Sequence, residues 1–304
     1  MATTLKEKLS IHIPTYNRSK FLQQTLKQLL KSPVKDCCIT ILDNHSTDNT
    51  INLVESMKKD FSNLHIVSRP FNLGSGSANY MQHIEYCKTE YLWILADDDI
   101  YDFSFFDDVE KKIIEGQMNI IHVGAHNDGE WNWGICDTPK SLEKMGYAYF
   151  RYSSFLPCTI YKFSYFIKYI KDAYNFIHYM YPHLPSLVDA YDKDVPVYVS
   201  KKRIVTAAIG RQRYDYYVCF RGFIVSSLYL KEKKSKRAIC YSFYFNNKSF
   251  WKSSLWFICI YRKKPDIALP KKILWDMMHP MEKIACLLFY IPMRLQAFRH
   301  REKY

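Results

Sequence analysis

The sequence predicts an α/β protein, a sheet flanked by helices, followed by a basic and mostly helical C-terminal extension. Three observations carry this. Short apolar runs alternate with amphipathic ones through the first hundred residues, the rhythm of βαβ units. One run, Tyr91-Leu92-Trp93-Ile94-Leu95, is apolar throughout, as suits a strand covered on both faces. The charge is also divided. Residues 1–150 hold 15 Lys and Arg against 20 Asp and Glu, a net of −5, whereas residues 151–304 hold 28 against 10, a net of +18.

Each element has its own signal. Leu9 to Ile13 reads as a strand ended by Pro14, and Lys20 to Leu30 as a helix with Phe21, Leu22, Leu26, Leu29 and Leu30 on one face. Cys38 to Leu42 is a second strand, turning at Asp43-Asn44-His45-Ser46. A helix from Thr50 to Met57 follows, with Ser46 or Thr47 as its cap. Leu64 to Val67 is a third strand, Asn79 to Cys87 a third helix, and Tyr91 to Leu95 the fourth strand, running straight into Asp97-Asp98-Asp99. Further on, Phe105 to Glu115 reads as a helix and Asn119 to Val123 as a strand. Residues 124–200 show no clean period. From about residue 212, aromatic and aliphatic clusters alternate with Lys and Arg.

With 304 residues, 48% hydrophobic and 24% charged, the chain can bury a real core and is neither disordered nor a small disulfide scaffold. Its nine cysteines include no CxxC pair, and residues 1–10 lack an apolar leader run, which together predict a reduced, cytosolic protein with free thiols. Ile284 to Ile291 is the most apolar segment near the end. It is stopped by Pro292 and Arg294, far short of the roughly 20 residues a membrane span needs. With Lys283, Arg294, Arg299 and Arg301 around it, it predicts a helix lying in a membrane surface.

Chemistry concentrates at Asp97-Asp98-Asp99. Three adjacent carboxylates at the end of a buried strand repel one another, and desolvation raises their pKa values unless a cation sits against them. Mg²⁺ and Mn²⁺ prefer hard oxygen ligands, and a metal held by one or two carboxylates keeps sites free for substrate phosphates. Ligands also bind at the carboxyl ends of strands in open α/β sheets. The competing reading is an acidic turn leading into Tyr101–Asp108.

Four segments in order carry a family resemblance over about residues 8–102. They are Ile11 to Arg18 (Ile-His-Ile-Pro-Thr-Tyr-Asn-Arg), Ile41 to Thr50, Asn72-Leu73-Gly74 with Asn79 downstream, and Asp97-Asp98-Asp99. The set resembles family 2 glycosyltransferases of the GT-A fold, a Rossmann-like nucleotide-binding mixed sheet, with His45 standing where that family usually has a small residue or Gly. The resemblance implies a GT-A domain over residues 1–210, its nucleotide-sugar half about 1–102 and its acceptor half about 103–210, with residues 211–304 as the basic helical region. It implies that Pro14, Thr15, Tyr16, Arg18, Asp43, Asn72, Asp97 and Asp98 bind the nucleotide, and that Asp97 and Asp99 hold Mn²⁺ or Mg²⁺ on the donor diphosphate. Arg69 joins Arg18 as a candidate to offset phosphate charge.

The implied reaction is an inverting transfer from a nucleotide-sugar, a UDP-sugar being the commonest donor, with a general base acting on the acceptor hydroxyl. Many relatives take that base from a Glu-Asp pair, which this chain lacks. Tyr181-Pro182-His183 stands in its place, after Ser153-Ser154-Phe155-Leu156-Pro157, and resembles the abequosyltransferase-like enzymes of O-antigen assembly. His183 is one candidate base, with Asp189, Asp192 and Asp194 as competitors; a structural histidine is the alternative. Trp131 and Trp133, in a polar loop after the acidic triplet, are candidates to stack on an acceptor sugar or to pack against the sheet.

The leading expectation is therefore a cytoplasmic enzyme, peripheral on the inner face of the membrane. It would act on a polyprenyl-linked saccharide in O-antigen or capsule synthesis, its basic half held by an anionic leaflet. A nucleic-acid-binding protein is the alternative for the +18 half, although no nucleic-acid signature occurs and no such partner is expected. A nucleotidyltransferase on the same fold is disfavoured because Pro14 to Arg18 contains no glycine.

Overall fold

A computed structural model describes residues 3–125, 130–208, 215–243 and 249–301. The chain forms two compact units, Met1–Gln212 and Arg213–Tyr304. The expected boundary between residues 210 and 211 lies outside the described residues.

The first unit is built on an eight-stranded mixed sheet. Its strands are β1 (Leu9–Thr15), β2 (Cys38–Asp43), β3 (Leu64–Ser68), β4 (Tyr91–Ile94), β6 (Ile120–His122), β8 (Ile135–Asp137), β9 (Thr159–Lys162) and β10 (Val197–Val199). They lie in the order β3-β2-β1-β4-β9-β6-β10-β8. A small second sheet joins β5 (Ile100–Tyr101), β11 (Val205–Thr206) and β7 (Gly124–Ala125). Strands β1 to β4 are mutually parallel, whereas β9 runs antiparallel to both β4 and β6. Because β10 is parallel to β6, the C-terminal ends of β1, β2, β3, β4, β6 and β10 share one edge of the sheet. The core beneath it is made by Leu9, Ile11, Ile13, Ile39, Ile41 and Trp93 with Leu22, Leu26 and Leu29 of helix Ser19–Leu30.

Several boundaries differ from the sequence expectation for identifiable reasons. Strand β1 continues through Pro14 to Thr15. Pairing with β4 ends at His12–Ile94, and Pro14 alternates with His12 onto that side, so its missing N–H leaves no ladder bond unmade. The helix expected from Asn79 to Cys87 is two short ones, Gly76–Tyr80 and His83–Tyr86. Its start moves because Ser75 Oγ accepts the Ala78 N–H and caps three residues earlier. Neither Ser46 nor Thr47 caps Thr50–Met57; Asp48 Oδ1 instead accepts the Thr50 N–H at 3.0 Å and its hydroxyl at 2.5 Å. The helix expected at Phe105 begins at Asp107 and stops at Gly116, whose φ of +69° suits a left-handed cap.

The second unit contains helices Tyr216–Ser226, Lys233–Phe243, Phe250–Tyr261, Ala268–Met277 and Pro280–Arg301. Arg237 makes a two-pronged ion pair with Glu282, at 2.7 and 2.8 Å, joining the second of these to the last. Pro292 does not stop the last helix, which runs on to Arg301. Pro292 lies on an exposed side, where water can take up the backbone carbonyl that its ring leaves without a donor. Among the described residues, no helix is long and apolar enough to cross a membrane. All nine cysteines are free thiols.

Candidate active site

The shared edge of the sheet gathers the residues singled out in the sequence. Asp97, Asp98 and Asp99 follow β4, Thr15 ends β1, and Asp43 ends β2. The Thr15 hydroxyl donates to Asp97 at 2.7 Å, and Arg18 Nε lies 2.9 Å from the other Asp97 oxygen. The same guanidinium reaches Asp98 and stands over the Phe21 ring, 4.6 Å from its centre. An internal cation thus sits between the first two carboxylates.

Asp99 is placed differently. Its Oδ1 accepts the Ala208 N–H at 3.0 Å, whereas Oδ2 is buried with no hydrogen-bond partner among the described residues. Burial lifts its carboxyl to about 7, reinforced by the charges of Asp98 and Asp97 and opposed by the Ala208 amide. Burial also raises Asp97, to about 6, although Arg18 and Thr15 pull the other way. A buried carboxylate oxygen lacking a donor is the position at which a divalent cation fits. Among the described residues no three His, Cys, Asp or Glu side chains form a cage for a metal, so a cation here would take further ligands from substrate oxygens. The backbone around the triplet is pinned by Gln28, whose amide donates to the Asp99 carbonyl at 3.1 Å and accepts the Tyr101 N–H at 2.9 Å. The small sheet closes behind it at Gly124, where a Cβ would come within 2.5 Å of the Val205 carbonyl oxygen.

Asp43 is fully buried and organises the loop after β2, accepting the Ser46 N–H at 3.1 Å and the Ser68 hydroxyl at 2.5 Å. His45 has φ +67°, which explains why a small residue is usual there, and its Nδ1–H donates to the Arg69 carbonyl at 3.0 Å. Asn17, itself at φ +51°, accepts the Thr47 N–H at 2.7 Å and so ties the loop after β1 to the loop after β2. Asn44 donates to Asn72 at 3.0 Å and accepts the Leu73 N–H at 3.0 Å, fixing the turn at Gly74. Tyr16 is 42% exposed at this edge, open to a ligand.

The remaining candidates fall into three environments. His183 is buried; its Nε2–H donates to the Ser154 carbonyl at 2.8 Å, and its ring lies against Tyr80 and Tyr181. Because a carbonyl only accepts, the proton is fixed on Nε2, and Nδ1 carries a lone pair that no described group engages. Burial lowers its pKa to about 4, so the ring is neutral at neutral pH. The segment after Ser154 packs under β4 through the Trp93 N–H, which donates to the Pro157 carbonyl at 2.8 Å. Met180, just before His183, accepts the Ser77 hydroxyl at 3.2 Å from the helix that follows the Asn72 turn. Asp189 is held by Tyr169, by Tyr165 at 3.2 Å and by Lys193 at 2.7 Å. Trp131 is buried, its N–H donating to the Ser200 carbonyl at 3.0 Å and its ring packed against Tyr147 and Tyr152. Trp133 is half-buried, edge-on to Tyr147.

Sequence reasoning assigned no role to Asn17, Gln28 or Asn44. For Asn17 and Asn44 a signal existed, since each sits in a strand-end loop, where short polar side chains bond to backbone. Gln28 carried none.

These features place a cluster of carboxylates and an arginine at the strand-end edge of a GT-A fold. The profile of glycosyl transferase family 2 matches residues 10–176. The chain belongs to that family. A poly(ribitol-phosphate) beta-glucosyltransferase of Bacillus spizizenii is 31% identical over 94 residues, covering 30% of this chain and 15% of that protein. A GalNAc(5)-diNAcBac-PP-undecaprenol beta-1,3-glucosyltransferase of Campylobacter jejuni is 25% identical over 115 residues, 38% of this chain and 37% of that one. The matched stretch is thus less than half of either relative. Among solved structures, S. aureus TarS 1-349 in complex with UDP-GlcNAc aligns with a TM-score of 0.63 at 17% identity, over 96% of this chain and 89% of that one. The mannosyltransferase PcManGT of Pyrobaculum calidifontis, in complex with GDP-Man and Mn²⁺, aligns at 0.58 with 10% identity, over 95% and 88%.

Proposed function

We propose that this chain transfers a sugar from a nucleoside diphosphate donor, a UDP-sugar, to a hydroxyl of a polyprenyl-linked saccharide. The product would be a bacterial surface polysaccharide, O-antigen or capsule, made at the inner face of the cytoplasmic membrane. The observation that carries the reading is the unpaired, buried Asp99 Oδ2 beside an Arg18-bound Asp97 at the end of β4. The relatives lend support: one acts on an undecaprenol-linked saccharide by its name, and TarS was solved with UDP-GlcNAc.

Asp99, with Asp97 alongside, would hold Mn²⁺ or Mg²⁺, which supplies charge neutralisation to the departing nucleoside diphosphate. Arg18 adds a cation at the same edge, and Thr15 orients Asp97 towards it. Asp43 keeps the base-side loop in shape through Ser46 and Ser68, with Pro14, Tyr16 and Asn72 around the nucleotide. His183 is the better candidate for the base. Its tautomer is set by Ser154 and its buried Nδ1 lone pair is engaged by no described group, so that it would take the acceptor proton, whereas Asp189 already serves two tyrosines and a lysine. The acceptor oxygen then bonds to the anomeric carbon as the bond to phosphate breaks on the opposite face, inverting the centre. Half-buried Trp133 remains the acceptor-stacking candidate; Trp131 shapes the fold beside it.

Thermal shift with UDP, dTDP, GDP and CDP, each with and without Mn²⁺, tests the reading on wild type and Asp99→Ala. Stabilisation by one nucleotide that needs both metal and Asp99 is expected. No shift with any nucleotide would refute it.

A further inference from the structure

The last helix of the second unit, Pro280–Arg301, has two unlike sides. Cys286 and Ala297 are buried on one, with Met293 half-buried between them. On the other, Met281 (74% exposed), Ile284 (49%), Leu288 (71%), Ile291 (68%), Leu295 (59%) and Phe298 (51%) follow one another at alternating spacings of three and four, with Leu287 (69%) alongside. These side chains leave on the order of 800 Å² of apolar surface open, more than a monomer ordinarily exposes in one patch. A 3-4 spacing keeps them on one stripe along the helix.

The charges beside the stripe identify what covers it. From residue 283 to 301 the sequence carries Lys283, Arg294, Arg299 and Arg301 and no acidic residue. The one preceding acid, Glu282, is already paired with Arg237. In a coiled coil with a second copy, the positions flanking the stripe would be Ala285, Pro292 and Arg299 on one side and Leu287, Arg294 and Arg301 on the other. Arginine would then meet arginine across the seam, with no acidic residue at these flanking positions to relieve it. An anionic partner is complementary where a second copy is not. A bilayer also accommodates the exposed carbonyl that Pro292 leaves, since the interface supplies water.

We propose that helix Pro280–Arg301 lies in the surface of an anionic bilayer. Met281, Ile284, Leu288, Ile291, Leu295 and Phe298 enter the acyl region, and Arg294 and Arg299 meet lipid phosphates. The proposal gives residues to the membrane part of the function proposed above and rests on that part alone.

Flotation of the full chain with vesicles tests it. Wild type is expected to float with vesicles of phosphatidylcholine and phosphatidylglycerol and to bind pure phosphatidylcholine at least about tenfold more weakly. Leu288→Glu with Leu295→Glu should abolish flotation on both. Arg294→Glu with Arg299→Glu should lose most of the preference for anionic vesicles. Both pairs are on the surface, and unchanged circular-dichroism melts would show that the fold is intact. Binding by the leucine pair equal to wild type would overturn the proposal. So would a wild-type dimer in sedimentation that ignores vesicles and dissociates in the leucine pair. Vesicle binding intact beside a failed nucleotide panel would leave this proposal standing and remove the donor reading.

Discussion

Replacing Asp99 by Asn probes the charge balance of the strand-end carboxylates. In the metal-free protein, burial lifts the Asp99 carboxyl from 3.8 to about 7. A carboxyl raised in this way stabilises the fold while it is protonated. The contribution is whole below its unfolded value and is lost as pH climbs through the folded one. Between pH 5 and about 7 some two units of that window are traversed, at about 1.4 kcal/mol each, or about 3 kcal/mol in all. Asparagine keeps the Oδ1 acceptor for the Ala208 N–H and carries no charge. Urea unfolding in the presence of a chelator should therefore move the variant-minus-wild-type difference in favour of the variant by about 3 kcal/mol between pH 5 and pH 8. The comparison cancels His122 and His183, which titrate in the opposite sense. Adding Mn²⁺ at pH 8 should restore wild type and leave the variant unmoved. A difference that does not change with pH would refute the argument and reduce Asp99 to a partner of the Ala208 amide.

Arg18→Gln removes the cation between Asp97 and Asp98 and should cost about 2–4 kcal/mol of metal-free stability at pH 8, less at pH 5, read by the same urea titrations. His183→Gln should lower kcat by at least about a hundredfold while leaving the nucleotide–Mn²⁺ thermal shift intact, and Asp189→Asn should spare kcat in comparison. Burial depresses His122 to about 3 and His183 to about 4, so each contributes stability that is present above about 6.5 and lost as pH falls towards those values. His122→Gln should accordingly shift the midpoint of acid unfolding, followed by fluorescence, to lower pH.

The parallel strands β1 to β4 were legible because each is a continuous apolar run closed by a turn signal. Beyond them, β6 was legible as Asn119 to Val123 and lies at Ile120–His122, whereas the other later strands were not. β8, β9 and β10 are three or four residues long, too short for a period to register, and their place is decided by partners far away in sequence. The acidic triplet stood out in the sequence because three carboxylates directly after a buried strand carry a repulsion that an ordinary turn does not need. That Arg18 occupies the first two of them, leaving an oxygen of the third without a partner among the described residues, needed the fold. Trp131 shows the opposite limit: its neighbours Asn132 and Glu130 are polar, yet its own indole is drawn inside by the Ser200 carbonyl and the tyrosines around it. Pro292 was read as a stop signal, which holds for a buried helix but not for one whose freed carbonyl faces water.

The insertion of β9 between β4 and β6 has a consequence for how the chain acquires its structure. Residues 91–94 find their outer neighbour only after residues 159–162 have been made, and β6 finds its far neighbour only at residues 197–199. A nascent chain that has just completed the acidic triplet therefore exposes β4 as an open edge, a template for mispairing. The sheet cannot seal progressively from its N-terminal side. Its middle closes by long-range contacts that make folding slow, and the strand that completes it arrives among the last.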